Sequence, residues 1–237
     1  MLRITDILDK AQAYLTPEEL EMIEKAYIYS AKAHQGQVRL SGEPYLTHPM
    51  EVAGILVDMK LDAATIISGL LHDTVEDTLA TIEEIEKEFG KDVAFLVGGL
   101  TKISRISLGS QEEKQAENFR KMILAMSADI RILMVRLADR IHNMKTLQYQ
   151  TPERRAAIAK ETMEIYAPLA NRLGINWMKI VLEDLSFQHL YPEEYEDLSR
   201  RVVKSKESRD LYTEKIKSII RAGLEKFSIK GDVEGRA

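Results

Sequence analysis

Apolar residues recur at helical spacing along most of the chain. Leu20, Ile23, Ala26, Tyr27 and Ala31 share one face and follow Thr16-Pro17-Glu18-Glu19, a capping box with proline at the first helical position. This pattern predicts a helix that ends near His34-Gln35-Gly36. Residues 37–45 carry the Ser-Gly and Pro signals of a loop. Thr47 can cap a second helix through Met59, with Pro49 in its first turn and His48 at its very start. A third begins at Leu61-Asp62, and an apolar run over residues 63–71 carries it to His72 and Asp73. Thr81-Ile82-Glu83-Glu84 is another capping box, and Gly90 stops the short helix it opens.

Residues 104–110, small and polar with Gly109 among them, predict a mobile loop, followed by a helix from Gln111 to about Ser127. Asp129 can cap the next helix, from Ile130 to Leu147. That helix is apolar on nearly every side, the pattern of a buried element. Thr151-Pro152-Glu153 opens a long helix that should break near Pro168 and Gly174, and two more follow, over 177–190 and from Pro192 to about Lys226. The closing residues, from Phe227, change character and read as a strand or linker. An all-α fold follows. Only 6 prolines and 12 glycines in 237 residues agree with it.

Composition narrows the chemistry. There is no cysteine, so disulfides and thiolate metal sites are excluded, and any metal must be held by imidazole, carboxylate and water. A net charge of −5 argues against a general DNA or RNA binder but leaves room for a small phosphorylated substrate met by local cations. The N-terminus lacks the apolar core of a signal peptide and no apolar run reaches membrane-spanning length, so a cytoplasmic protein is expected.

Against this background one stretch stands out: Leu71-His72-Asp73-Thr74-Val75-Glu76-Asp77. If it stays helical, its four ionisable groups crowd onto one side of a single turn, where the carboxylates repel unless a cation or shared proton holds them. Asp139 presents a related problem, a carboxylate on a buried helix, with Asn143 and Thr146 on the same face. Arg136 or Arg140 could neutralise it as a plain ion pair. Set beside His48, His72 and Asp73, it completes a mixed nitrogen and oxygen donor set with positions left for water and substrate. Arg39, Lys102 and Arg140 are candidate cations for substrate charge. His34, His142, His189 and Trp177 are expected to be structural, Trp177 in the core and His142 at most an outer partner of the site. The ten methionines are expected to fill gaps in the core.

Arg39-Leu40-Ser41-Gly42-Glu43-Pro44-Tyr45, Thr47-His48-Pro49, His72-Asp73 with Glu76-Asp77, and Leu137-Ala138-Asp139-Arg140-Ile141-His142-Asn143-Met144 together resemble the N-terminal hydrolase domain of the RelA/SpoT-homologue (Rel) stringent-response enzymes. The stretch from Glu161 to Ile175 resembles the same family, and residues 229–236 resemble the approach to its synthetase domain. The resemblance implies an all-helical HD-superfamily domain over residues 1–195, with a helical linker and the start of an absent synthetase domain over 196–237. The chain would then be a fragment or a natural short form.

What the resemblance implies chemically is metal-dependent removal of pyrophosphate from the 3′ position of ppGpp and pppGpp, giving GDP or GTP, with one divalent ion, manganese. His48, His72, Asp73 and Asp139 match the metal ligands. Glu76 and Asp77 match the pair assigned to water activation, and Arg39, Asn143 and Thr146 match residues near the guanosine. Relatives often have Lys where this chain has Leu40. The implied partners are the guanosine tetra- or pentaphosphate and, in a longer protein, synthetase and regulatory domains. Two alternatives stand beside this one: another HD-type nucleotide phosphohydrolase, and a non-catalytic nucleotide-binding regulatory domain.

Overall fold

Local capping decides where the helices start. In the computed structural model, which describes residues 2–104, 129–227, 229 and 231–233, Thr16 and Thr81 each accept from the backbone N–H three residues on, and Glu19 and Glu84 reach back to close both capping boxes. The helices are α1 (Ile4–Ala11), α2 (Pro17–Ala33), α3 (Thr47–Asp58), α4 (Ala63–Leu71), α5 (Thr74–Asp77), α6 (Ile82–Phe89), α7 (Lys91–Ser104), α8 (Ile130–Lys145), α9 (Pro152–Glu161), α10 (Ala167–Arg172), α11 (Asn176–Leu190) and α12 (Pro192–Lys226). The fold is all-α, and among the described residues the only β feature is an isolated antiparallel bridge between Val38 and Pro44. The expected loop beyond Ser104 and the helix over 111–127 lie outside the described residues.

The chain divides into two compact units, residues 1–186 and 187–237. The first is built around α4, all of whose residues except Ala64 are buried, with α2, α3, α7 and α8 packed against it. Gly69 sits where α4 faces α3. A Cβ there would lie 2.5 Å from Leu56 Cδ1, so glycine lets α3 come close enough for the start of α3 to face the end of α4. Arg131 ties three helix starts together. Its guanidinium donates to Asp62, the cap of α4, at 2.9 Å, to Asp92 in the first turn of α7 at 2.7 and 2.8 Å, and to Asp129, the cap of α8, at 2.7 Å.

Four local expectations change. α1 was not foreseen, being a single short amphipathic turn sequence closed by an Arg3–Asp6 box. Thr47 is the first residue of α3 and Leu46 its cap, with no side-chain cap bond. The helix after Thr151 breaks earlier than Pro168: residues Thr162–Tyr166 form a π turn in which Ala167 N–H reaches back to Thr162 O. That wider turn absorbs the proline, which has no N–H to donate. Trp177, expected in the core, is 44% exposed, because its neighbour Met178 takes the buried position at the start of α11. In the second unit α12 runs for 35 residues, and after it Ile229 N–H donates to Leu224 O; no strand occurs among the described residues.

Candidate metal centre

His48 is the second residue of α3, His72 follows the last residue of α4, and Asp139 lies in the middle of α8. The packing of α3, α4 and α8 brings the three side chains together, with ligand-capable atoms within 4.8 Å of one another. All three are buried, at 3%, 2% and 8% exposure, so water cannot solvate whatever charge they carry. Asp73 lies beside them, its Oδ1 3.1 Å from His72 Nε2 and its Oδ2 3.5 Å from His48 Nε2.

The stretch from His72 to Asp77 does not continue as one helix. α4 ends at Leu71, and α5 begins only at Thr74. Side chains compete for the carbonyls that a continuing helix would use: Gly69 O faces His72 Nδ1 at 2.8 Å, and Leu71 O accepts from Thr74 Oγ1 at 2.6 Å. The break divides the four groups by exposure, although Asp73 and Asp77 stay one turn apart, with Asp77 N–H on the Asp73 carbonyl at 2.9 Å. His72 and Asp73 turn inward, while Glu76 and Asp77 stay exposed on α5.

The tautomers follow from the partners. Gly69 O can only accept, so His72 Nδ1 carries a hydrogen and Nε2 is the nitrogen turned toward the cluster. His142 Nδ1 accepts from Arg39 Nη1 at 2.9 Å, since a guanidinium can only donate. His48 Nδ1 lies 2.7 Å from the same His142 nitrogen. The two Nε2 atoms face each other 3.2 Å apart, with Asp139 Oδ1 3.2 Å from His48 Nε2 and 3.9 Å from His72 Nε2. His48, His72 and Asp139 face one another with Asp73 beside the two imidazoles, and each imidazole is oriented through its other nitrogen.

Electrostatics point the same way. Burial opposes charge on His72, yet Asp73 and then Asp139 outweigh it and push its pKa up to about 9. Burial also favours the neutral acid at Asp73 and Asp139. His72, His48 and Tyr45 overcome it for Asp73, and His48, His72 and Arg136 for Asp139, so both lie well below the usual carboxylate range. A proton on His72 can face only one acceptor at a time. A divalent cation would face all four donors, and with no thiolate present the set suits a metal of nitrogen and oxygen preference.

An outer layer holds these donors in place. Asn143 Nδ2 donates to Asp139 Oδ1 at 2.5 Å, and Arg39 Nη2 donates to Asn143 Oδ1 at 3.0 Å. Arg136 reaches Asp139 Oδ2 at 3.4 Å and Leu100 O at 2.7 Å, so one of the two ion pairs considered for Asp139 is present beside the cluster. Arg140 instead pairs with Glu161 at 3.0 Å and lies over the Tyr166 ring at 3.9 Å. The structure thus brings Arg39 and Asn143 together. It leaves Thr146 Oγ1 bonded to the carbonyls of His142 and Asn143 at the end of its own helix. The side chain of Lys102 lies outside what the structure describes.

Two further side chains take part: His142, expected at most as an outer partner, and Tyr45, which was not foreseen. His142 stays neutral, as burial, His48 and Arg39 together push its pKa down to about 3, and it joins the Arg39 loop to His48. Its place three residues after Asp139, one helical turn away, was the signal for it. The Tyr45 hydroxyl contacts Asp73 Oδ2 at 2.7 Å and Asp77 Oδ2 at 2.6 Å, and burial and then Asp73 keep it far above the usual phenol range, as a donor.

Residues 26–176 match the HD domain family. The chain is 57% identical over 226 residues to a "GTP pyrophosphokinase" of Myxococcus xanthus, covering 94% of this chain and 30% of that protein. It is 47% identical over 225 residues to the "Bifunctional (p)ppGpp synthase/hydrolase SpoT" of Escherichia coli K12, covering 95% and 32%. The chain therefore spans about a third of the length of these curated relatives. Among solved structures, one described as "A metazoan ortholog of SpoT hydrolyzes ppGpp and plays a role in starvation responses" superposes with a TM-score of 0.53. It is 26% identical, and the match covers 74% of this chain and 96% of that one.

Proposed function

Because the chain belongs to the HD-domain family, with relatives of the RelA/SpoT type, we propose that it hydrolyses the 3′-pyrophosphate of ppGpp and pppGpp, releasing pyrophosphate and GDP or GTP. The observation that carries the proposal is the convergence of the Nε2 atoms of His48 and His72 with Asp139, with Asp73 beside them. His48, His72, Asp73 and Asp139 would hold one divalent ion, manganese in this proposal. Such an ion supplies a Lewis acid for phosphoryl oxygen and a water of lowered pKa.

The remaining steps belong to side chains. Glu76 and Asp77, on the exposed helix one turn beyond the ligands, take the proton from the attacking water, a role worth about 10²–10⁴-fold in rate. Arg39, Asn143 and Thr146 face the nucleoside. Arg39 supplies charge and a planar surface for a base from the short loop that Val38 and Pro44 pin together. Burial of the ligands excludes bulk water from the phosphoryl side.

The names of the relatives belong to proteins about three times longer, and one is named for synthesis rather than hydrolysis. What supports hydrolysis is that the matched part brings His48, His72 and Asp139 together, with Asp73 beside them. We further propose that residues 1–195 are the hydrolase domain and 196–237 a helical linker toward a synthetase, with regulatory domains beyond it in a longer protein. Among the described residues no helix is long and apolar enough to cross a membrane, and a cytoplasmic site of action is part of this proposal.

The test is pyrophosphate release from ppGpp with Mn²⁺, then with chelator, beside dGTP and cyclic nucleotides. Metal-dependent release from ppGpp alone is expected. Turnover of dGTP or a cyclic nucleotide instead would assign the site to another HD phosphohydrolase. No turnover of any of them, with nucleotide still bound, would make it a binding domain.

A further inference from the structure

Asp77 is an exposed carboxylate on a four-residue helix whose only buried residue is Thr74, so α5 has little core of its own to hold it. Its neighbour in space, Asp73, carries like charge and would turn it outward toward water. The Asp77 N–H donates to the Asp73 carbonyl at 2.9 Å, and among the described residues one side chain bridges the two carboxylates. The Tyr45 hydroxyl sits 2.6 Å from Asp77 Oδ2 and 2.7 Å from Asp73 Oδ2, with a single hydrogen to share between them.

The ring behind that hydroxyl is itself held. It stacks on His34 with centroids 4.4 Å apart and planes 17° from parallel, and meets His48 edge-on at 6.3 Å. Gln37 closes the circuit. Its Nε2 donates to the Asp77 carbonyl at 3.1 Å, which fixes its amide with Oε1 toward His34, and His34 Nδ1 donates to that oxygen at 2.8 Å. Tyr45 N–H in turn donates to Gln37 O at 3.0 Å. His34 is buried at the end of α2, so the circuit is anchored on a core helix.

We propose that Tyr45, backed by His34 and Gln37, is a positioning residue for the hydrolysis, its hydroxyl holding the Asp77 carboxylate against Asp73 where the attacking water is met. This rests on the proposed role of Asp77 as a proton acceptor.

Tyr45→Phe tests it, since the variant keeps the stack on His34 and removes one oxygen. Wild type and variant are compared at Mn²⁺ concentrations that saturate both, checked by electron paramagnetic resonance of the bound ion. The expected result with ppGpp is a fall in kcat of about 10- to 100-fold, as for a small misplacement of a reacting group, with KM little changed. Asp77→Asn should fall similarly, and the double variant little further, because the two act as one unit. Wild-type kcat once Mn²⁺ saturates would mean that Tyr45 serves only the ligand Asp73, and a multiplicative loss in the double variant would mean that it acts apart from Asp77. Either overturns the proposal. A crystal structure of Y45F gives a readout independent of turnover: the Asp77 carboxylate is expected to swing away from Asp73, and an unmoved carboxylate sinks the idea. Failure of wild type to hydrolyse ppGpp would remove the substrate assignment, and the position of Asp77 would still decide what Tyr45 does.

Discussion

Asp139 keeps its charge in a buried helix because His48, Asn143 and Arg136 all face it, and each contributes a hydrogen bond or an opposite charge. The same reasoning separates the roles of the four carboxylates at the site. Asp73 and Asp139 touch imidazole nitrogens, whereas Glu76 and Asp77 sit on the exposed helix beyond them. Replacing Asp73 with Ala should abolish both Mn²⁺ binding and turnover, read by calorimetric titration and pyrophosphate release. A variant that keeps full activity would place the site elsewhere. Glu76→Gln should keep the metal and lose about 10²-fold or more in kcat. Loss of Mn²⁺ in that variant would instead make Glu76 a ligand. Most donor residues were legible as types in sequence. Tyr45 was not, because nothing local indicates that a loop phenol will meet two carboxylates 28 and 32 positions away.

At the level of elements, capping boxes and apolar spacing placed α2, α6 and α8 close to their observed limits, since caps act within one turn of the residues that form them. The break after Leu71 was hidden because it depends on which side chains take the carbonyls of Gly69 and Leu71. Arg131 supplies a testable inter-helix tie. It lowers the pKa of Asp129 chiefly through its hydrogen bonds. At Asp62 burial pulls the other way, and the bonds from Thr65 and then Arg131 outweigh it.

Both folded values lie below the unfolded one near 3.8, so this stability is present above that pH and drains as acid is added through the folded values. Arg131→Ala should therefore lower stability at neutral pH, with the deficit shrinking below about pH 4. Asp62 and Asp92 are half exposed, and solvent screening limits the loss to about 1–2 kcal/mol, or roughly 3–6 °C in Tm. Thermal scans across pH would check it, and a deficit that grows in acid would contradict the assignment.

For the whole molecule, the centre joins three helices of the first unit through groups that carry charge without water, so a cation there should stabilise folding as well as chemistry. Stripping metal with chelator should lower Tm by about 5–10 °C relative to protein at a hundredfold excess of Mn²⁺ over its Kd. Identical melting with and without Mn²⁺ would show that the cluster holds no ion. The sequence alone determined the helical class, most helix limits and the donor types, because propensity, capping and the absence of cysteine are properties of short stretches or of composition. Tertiary structure decided which nitrogen of each histidine faces inward, how His142 links Arg39 to His48, and what holds Asp77. Those outcomes depend on partners up to 103 residues apart, whose approach is set by helix packing rather than by any local pattern.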